Sequence, residues 1–328
     1  MDRFFYNLEC FLKQHISRGR FIKLLLGGAL YFISNNALLK YAFARTARSG
    51  GRPKKNIKGD HDLVVSKGPD PYNNTEKAIE GIGGMDRFVK KGDVVFLKAN
   101  ISWDRSPEQA GNTNPYVVAA LVDMCYAAGA KRVNMSDNTC NEARRSYDNS
   151  EIPRVAREKG AYVHFVDNWN VVKAEFPYRS PMHDWPIYRE AVECDVFINV
   201  PILKHHRLTG LTLSMKNLMG VCSGTRGLIH AGIGRKLADL TDYISPELTV
   251  IDATRVLLRN GPSGGSLDDV ARMDTVIAGT DPVLADSYAC TLVDRDPMSI
   301  TYIEQAVRLG YGSADLTKAD ILKVKGGR

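Results

Sequence analysis

Between residues 204 and 217 the chain places Lys204, His205, His206 and Arg207, then Lys216 and Asn217, inside a run (198–221) that is otherwise largely apolar. Ammonium, imidazole and guanidinium groups are natural partners of carboxylate and phosphate. A solvated loop accounts well for Arg207. It accounts poorly for Lys216, whose neighbours Leu213, Met215, Leu218 and Met219 are apolar, because an ammonium taken out of water without a partner is costly. Three chemistries fit the segment. One is an anion site, with Lys204 and Lys216 supplying charge and Asn217 hydrogen bonds. Another is acid–base work by a histidine beside a lysine, which titrates near neutrality. The third is a metal site drawing on His205 or His206 with His230 and an aspartate. Adjacent histidines in an extended segment point to opposite sides, so only one of the pair would serve. No H-x-x-x-H or H-E-x-x-H spacing supports a metal.

Other polar residues end apolar runs. Lys98 and Asn100 follow "VVFL", Asp137 and Asn138 follow "RVNMS", and Asp252 ends "LTVI". Lys98 stands out, since a lysine closing such a run needs a partner. Asp281 precedes Pro282 and reads as a helix cap.

Stepping along the chain, strand-like runs at 62–68, 93–99, 132–136, 161–167, 195–200, 248–253 and 275–279 alternate with helix-like segments at 74–90, 115–128, 152–159, 186–193, 281–293 and 299–309. Alternation of this kind predicts an α/β domain with a mainly parallel sheet flanked by helices. In open sheets of this class ligands bind beyond the carboxyl ends of the strands, so Lys98, Asp137, Lys204 and Asp252 are expected in one cleft. The glycine-rich turn at 259–265 lacks the Lys-Ser/Thr of a phosphate loop, and neither G-x-G-x-x-G nor G-x-S-x-G occurs in the expected place.

The 328 residues are 44% apolar and 25% charged, an ordinary globular balance. The net charge of +7 is concentrated at the N-terminus: residues 1–44 carry +4 and residues 45–58 carry +6, leaving −3 on the rest. The body has no basic stripe for nucleic acid. Residues 1–44 run from a basic segment through sixteen uncharged residues (24–39) to Ala42-Phe43-Ala44, the order of an export signal and short for a spanning helix, which takes about 20 apolar residues. "SRGRFIK" resembles the twin-arginine leader pattern Ser-Arg-Arg-x-Phe-Leu-Lys, with Gly19 in place of the second arginine. Residues 1–44 are therefore expected to be an export signal, 45–59 a basic solvated linker and 60–328 a single α/β domain. The location is expected to be periplasmic, with anchoring at the membrane by an uncleaved N-terminus as the alternative. The cysteines, among them Cys125 and Cys290 on apolar helix-like faces, form no C-x-x-C pair, so no iron–sulfur cluster is expected and any other cofactor is left open.

Longer blocks carry a resemblance. "LKANISWDRSPEQAGNTNPYVVAALV" (97–122), "INVPILKHH" (198–206), "TLSMKNLMGV" (212–221), "LTVIDATRVLLRNGPSGG" (248–265) and "AGTDPVLADSYA" (278–289) resemble the domain of unknown function 362 family, in its exported branch. The resemblance spans about residues 60–325. It implies redox or cofactor chemistry, because many members carry a ferredoxin-like module, which this chain lacks. The expectation is thus an exported protein with an anion-binding cleft, an enzyme acting on a carboxylate- or phosphate-bearing substrate. Lys98, Asn100, Asp137, Lys204, Lys216 and Asn217 would bind it, and His205 with Asp252 would move protons. The alternative is a ligand carrier or maturation factor.

Overall fold

A computed structural model of the protein describes residues 51–326, so the leader expected at 1–44 lies outside the described residues. In chain order the strands are β1 (Leu63–Lys67), β2 (Val94–Ala99), β3 (Arg132–Met135), β4 (Tyr162–Val163), β5 (Val171–Lys173), β6 (Pro186–Tyr188), β7 (Val196–Val200), β8 (Ile202–His206), β9 (Gly210–Thr212), β10 (Leu248–Leu257), β11 (Val270–Gly279) and β12 (Ile321–Lys325). The helices are α1 (Pro71–Gly81), α2 (Pro115–Ala127), α3 (Ala143–Asn149), α4 (Ile152–Glu158), α5 (Arg189–Glu193), α6 (Ser214–Asn217), α7 (Ile233–Ile244), α8 (Pro282–Thr291) and α9 (Thr301–Arg308).

The main sheet runs β12-β1-β11-β10-β7-β2-β3-β4, with β8 added along β10 and β9 along β8. Strands β10, β7, β2, β3 and β4 are parallel neighbours, and β11 runs against both β1 and β10. The fold is α/β, a mixed and mostly parallel sheet with helices on both faces. Central parallel strands must be apolar on both sides, and β7, Val-Phe-Ile-Asn-Val, is buried throughout. Alternation sorts the side chains into two cores. Phe96, Phe197 and Ile251 face the helices α6 to α9, while Val95, Leu97, Val196, Ile198 and Val250 face α1, α2 and α4. Lys98 shares a face with Phe96 and so points toward α6.

Helix α2 starts where its sequence signals say. Asn114 Oδ1 accepts from Tyr116 N at 3.0 Å, Pro115 fills the first turn, and Gly129 follows the last turn at a φ of 95°. Asp281 caps α8 by accepting from Val283 N and Leu284 N, and Cys125 and Cys290 are buried. Other expectations are corrected. The helix expected over 74–90 ends at Gly81, because Gly83 and Gly84 take positive φ. Residues 186–188 pair with β5 instead of opening a helix. The strand expected over 161–167 is only Tyr162–Val163, at the sheet edge. Strands β8 and β9, an unpredicted hairpin, continue the line of β7 beyond Pro201. Within the run expected to be a solvated linker, Arg52 is 2% exposed. Its guanidinium meets both Glu247 carboxylate oxygens at 2.9 Å and the Cys194 sulfur at 3.0 Å.

Candidate functional site

The carboxyl ends of β2, β3 and β7 converge on a buried polar floor. Lys98 Nζ lies 3.0 Å from Asp137 Oδ1, both side chains closed to solvent, and donates to the Ala99 carbonyl at 2.6 Å. The other Asp137 oxygen accepts from Ile101 N at 2.7 Å and from Ser102 Oγ at 3.3 Å. Burial lowers the Lys98 pKa, and the Asp137 charge opposes that. Gly220 closes over the pair. A Cβ there would fall 2.0 Å from Asp137 Oδ1 and 2.6 Å from Lys98 Nζ, so no other residue fits without displacing the pair.

A chain of amides extends the floor. Asn217 Nδ2 donates to Asn199 Oδ1 at 2.8 Å and to the Lys98 carbonyl at 3.0 Å. Its Oδ1 accepts from Asn100 Nδ2 at 3.1 Å. Asn100 Oδ1 in turn faces Lys204 Nζ at 3.4 Å, and Lys204 also donates to the Gly111 carbonyl. Asn217 is held there because α6 is anchored at its start: Asp286 of α8 accepts from Ser214 N at 2.7 Å and from Met215 N at 3.1 Å, a carboxylate at a helix amino end. Strand β2 and strand β7 are tied at their ends by Thr113, whose hydroxyl accepts from Asn100 N and donates to the Val200 carbonyl.

Above this floor lies a cavity of about 550 Å³, within the size range of small-molecule sites. Among the described residues its walls include Lys204, Lys216, Arg207 and Arg226, and no aspartate or glutamate. Among the described residues Lys216 Nζ reaches only the Met219 thioether, at 3.0 Å. Burial brings the Lys216 ammonium down to about 8. Burial, with the positive charge of Lys216 close by, brings Lys204 down to about 7. Arg226 donates to the Thr139 carbonyl at 3.2 Å, to the Asn138 carbonyl and to Cys140 Sγ at 3.1 Å, lacing the loop after β3 to the cavity wall. The Trp103 ring covers Lys204 at 5.8 Å.

Two histidines complete the wall. His206 Nδ1 accepts from Leu208 N at 3.2 Å, so in the neutral ring Nε2 carries the proton. His230 Nδ1 donates to the Gly227 carbonyl at 3.1 Å, so its Nε2 holds the lone pair. The rings are 6.1 Å apart. Burial and the neighbouring lysines push His206 down to about 3 and lower His230 as well. Both are neutral at neutral pH, one offering a donor and the other an acceptor. Among the described residues no three His, Cys, Asp or Glu side chains gather as metal ligands.

Of the expected residues, Asn100, Lys204, Lys216 and Asn217 line the cavity, and His206 and His230, named only as metal candidates, line it too. Lys98 and Asp137 lie beneath it as an ion pair. His205 and Asp252 are not brought together. His205 lies on the opposite side of β8 from Lys204 and His206, and its Nδ1 accepts from Gly261 N at 3.1 Å. Gly261 packs so closely that a Cβ would fall 1.9 Å from the His205 carbonyl oxygen. Asp252 is filled by Asn114 N at 2.7 Å, Thr254 N at 2.9 Å and the Thr254 hydroxyl at 2.7 Å. It joins β10 to the start of α2. Trp103, Cys140 and Arg226 are cavity residues that sequence reading missed. They stand on separate loops with no periodic pattern to mark them.

Residues 95–291, which hold this floor and cavity, match the family described as Domain of unknown function (DUF362). The chain belongs to that family. A thylakoid-associated protein of Synechocystis sp. is 29% identical over 258 residues, spanning 73% of this chain and 75% of its own. Among solved structures, the lactate racemase apoprotein from Thermoanaerobacterium thermosaccharolyticum overlays 74% of this chain and 60% of its own, at 14% identity and a TM-score of 0.45. A Thermotoga maritima protein overlays 70% of this chain and 60% of its own, at 15% identity and a TM-score of 0.41. The chain therefore spans less than two thirds of either structure. Among the described residues no helix is long and apolar enough to cross a membrane.

Proposed function

We propose that this DUF362 protein binds a small carboxylate- or phosphate-bearing molecule in the cavity and acts on it by proton transfer. One observation carries the proposal: Lys204, Lys216 and Arg226 line a cavity whose walls, among the described residues, include no carboxylate. Clustered cations with no internal counter-charge repel one another, and an anion relieves that repulsion while gaining charge-assisted hydrogen bonds. Lys216 and Lys204 supply the charge. Asn100 and Asn217 fix orientation, since their amides are already held by the floor. In this reading the His206 Nε2–H donates a hydrogen bond to the bound anion and the neutral His230 Nε2 accepts the proton, roles that replace those expected of His205 and Asp252. A ligand carrier is the second reading, favoured because among the described residues the other ring nitrogen of each cavity histidine meets backbone and not a carboxylate.

The test is titration calorimetry of the full chain with sulfate, inorganic phosphate and malonate. Saturable binding of these anions that Lys216→Met weakens supports the cleft, and no binding by any of them overturns it. Export is proposed alongside, on the basic–apolar–Ala-x-Ala order of residues 1–44. N-terminal sequencing of the protein from its host tests that, and an intact Met1 would favour anchoring.

A further inference from the structure

Among the described cysteines, Cys125, Cys194, Cys222 and Cys290 are buried and Cys140 is exposed. Burial pushes the four buried thiols up to about 12, which leaves them inert. Cys140 is placed differently. It follows β3 on the loop that Arg226 laces down, its N–H donates to the Ser102 carbonyl at 2.8 Å, and its sulfur accepts from Arg226 Nη2 at 3.1 Å. It stands in the wall of the same cavity as Lys204 and Lys216.

A second observation points to a ligand in this cavity. His206 is 6% exposed and lines the cavity, and its Nδ1 is occupied by Leu208 N while its Nε2 has no partner among the described residues. That N–H is open to the cavity and free to take an acceptor from outside the chain. The cations around it select an acceptor with negative charge. A cleft lined by one sign of charge raises the local concentration of counter-charged reagents. Cys140 therefore meets anionic molecules more often than a thiol on an open surface does.

We propose that Cys140 is a modification site that takes carboxylate-bearing disulfides into a mixed disulfide, an inference that rests on the anion-cleft reading above. The Cys140 thiol gives its proton to solvent, and the thiolate attacks one sulfur of the incoming disulfide. A new S–S bond forms, the old one breaks, and the other half leaves as a thiolate that solvent protonates. Cys140 is oxidised and the departing sulfur is reduced, so no further oxidant is needed. The adduct's carboxylate then lies against Lys216 and Arg226 and occupies the place of the small anion. The modification shuts the cleft, and a free thiol reopens it.

The experiment compares two disulfides of opposite charge on the full chain, glutathione disulfide and cystamine, with the Cys140 peptide followed by mass spectrometry and kept apart from that of Cys10. The ratio of the two rates is referred to that of free cysteine in the same buffer. Cys140 is expected to favour glutathione disulfide by about tenfold or more over that reference. Sulfate should slow the reaction, and Lys216→Met should reduce the preference. A ratio equal to that of free cysteine, or a rate indifferent to sulfate, overturns the inference. If sulfate binds calorimetrically while Cys140 shows no preference, the modification site falls and the anion cleft stands. If sulfate neither binds nor slows the reaction, both fall.

Discussion

Lys98 Nζ lies 3.0 Å from Asp137 Oδ1, and neither side chain touches solvent. The pair joins the end of β2 to the loop after β3 beneath the cavity floor. Removing one member of a buried pair strands the other charge and costs about 3–5 kcal/mol. Lys98→Met is therefore expected to lower the unfolding free energy measured in urea by an amount in that range, with Lys98→Met/Asp137→Asn recovering part of it. A single variant as stable as the wild type would mean that the pair does not hold the floor.

Lys216 should matter to the ligand and not to the fold. Its ammonium has a thioether for a partner, so Lys216→Met removes no ion pair among the described residues. Sulfate affinity is expected to fall by about 2–4 kcal/mol, since the ligand charge loses its partner. The thermal midpoint should hold or rise, because an uncompensated cation is itself unfavourable when desolvated. Unfolding of this variant would show that the lysine is structural.

Sulfate stays a dianion across the neutral range, so the pH dependence of its binding reports the protein. Lys204 loses its proton near pH 7 and Lys216 near pH 8. Binding is expected to be strongest below pH 7 and to weaken as pH rises through 8, with proton uptake seen as a heat that depends on the buffer. The unliganded protein has the opposite slope. Both folded values lie below the ordinary lysine value of 10.5. The stability tied to these groups is therefore present above pH 10.5 and is lost as pH falls through about 8 and 7. Urea midpoints of Lys204→Met/Lys216→Met should vary less over that window. A wild-type affinity that is flat from pH 6 to 9 would contradict the assignment.

Asp252 and His205 should separate cleanly from the cavity residues. Asp252→Ala leaves the buried N–H groups of Asn114 and Thr254 without acceptors, at about 1–3 kcal/mol each. Sulfate affinity should change by less than about 0.5 kcal/mol for this variant and for His205→Ala. A large affinity loss in either would return them to the site.

The sequence was legible where a physical cost was local. A lysine closing "VVFL" had to find a charge, and Lys98 found Asp137. Alternation along the strands told which side chains share a face. The same two-residue period, applied to 204–206, pairs Lys204 with His206 and turns His205 away, so which histidine shares the cavity with Lys204 was readable from the pattern. Asp252 misled because an aspartate at a strand end serves equally well as a tie for backbone N–H groups. Cys140 and Arg226 left no local trace. They meet only because Asn138 binds the Cys222 carbonyl at 2.9 Å and Arg226 reaches back to residues 138–140, contacts between loops more than 80 residues apart.

The family match and the folding unit have different boundaries. Residues 95–291 begin inside β2 and stop at the end of α8. Cut to that length, the chain would lose β1, and the edge of β11 that pairs with it would lie open. It would also lose Arg52, leaving Glu247, buried at the foot of β10, without the guanidinium that neutralises it. An open strand edge recruits other copies of itself, and a stranded charge weakens the sheet from within. A recombinant fragment trimmed to the recognisable region would therefore be prone to aggregate, whatever the integrity of its cavity. The shortest fragment suited to biophysical work starts before Arg52 and runs through β12.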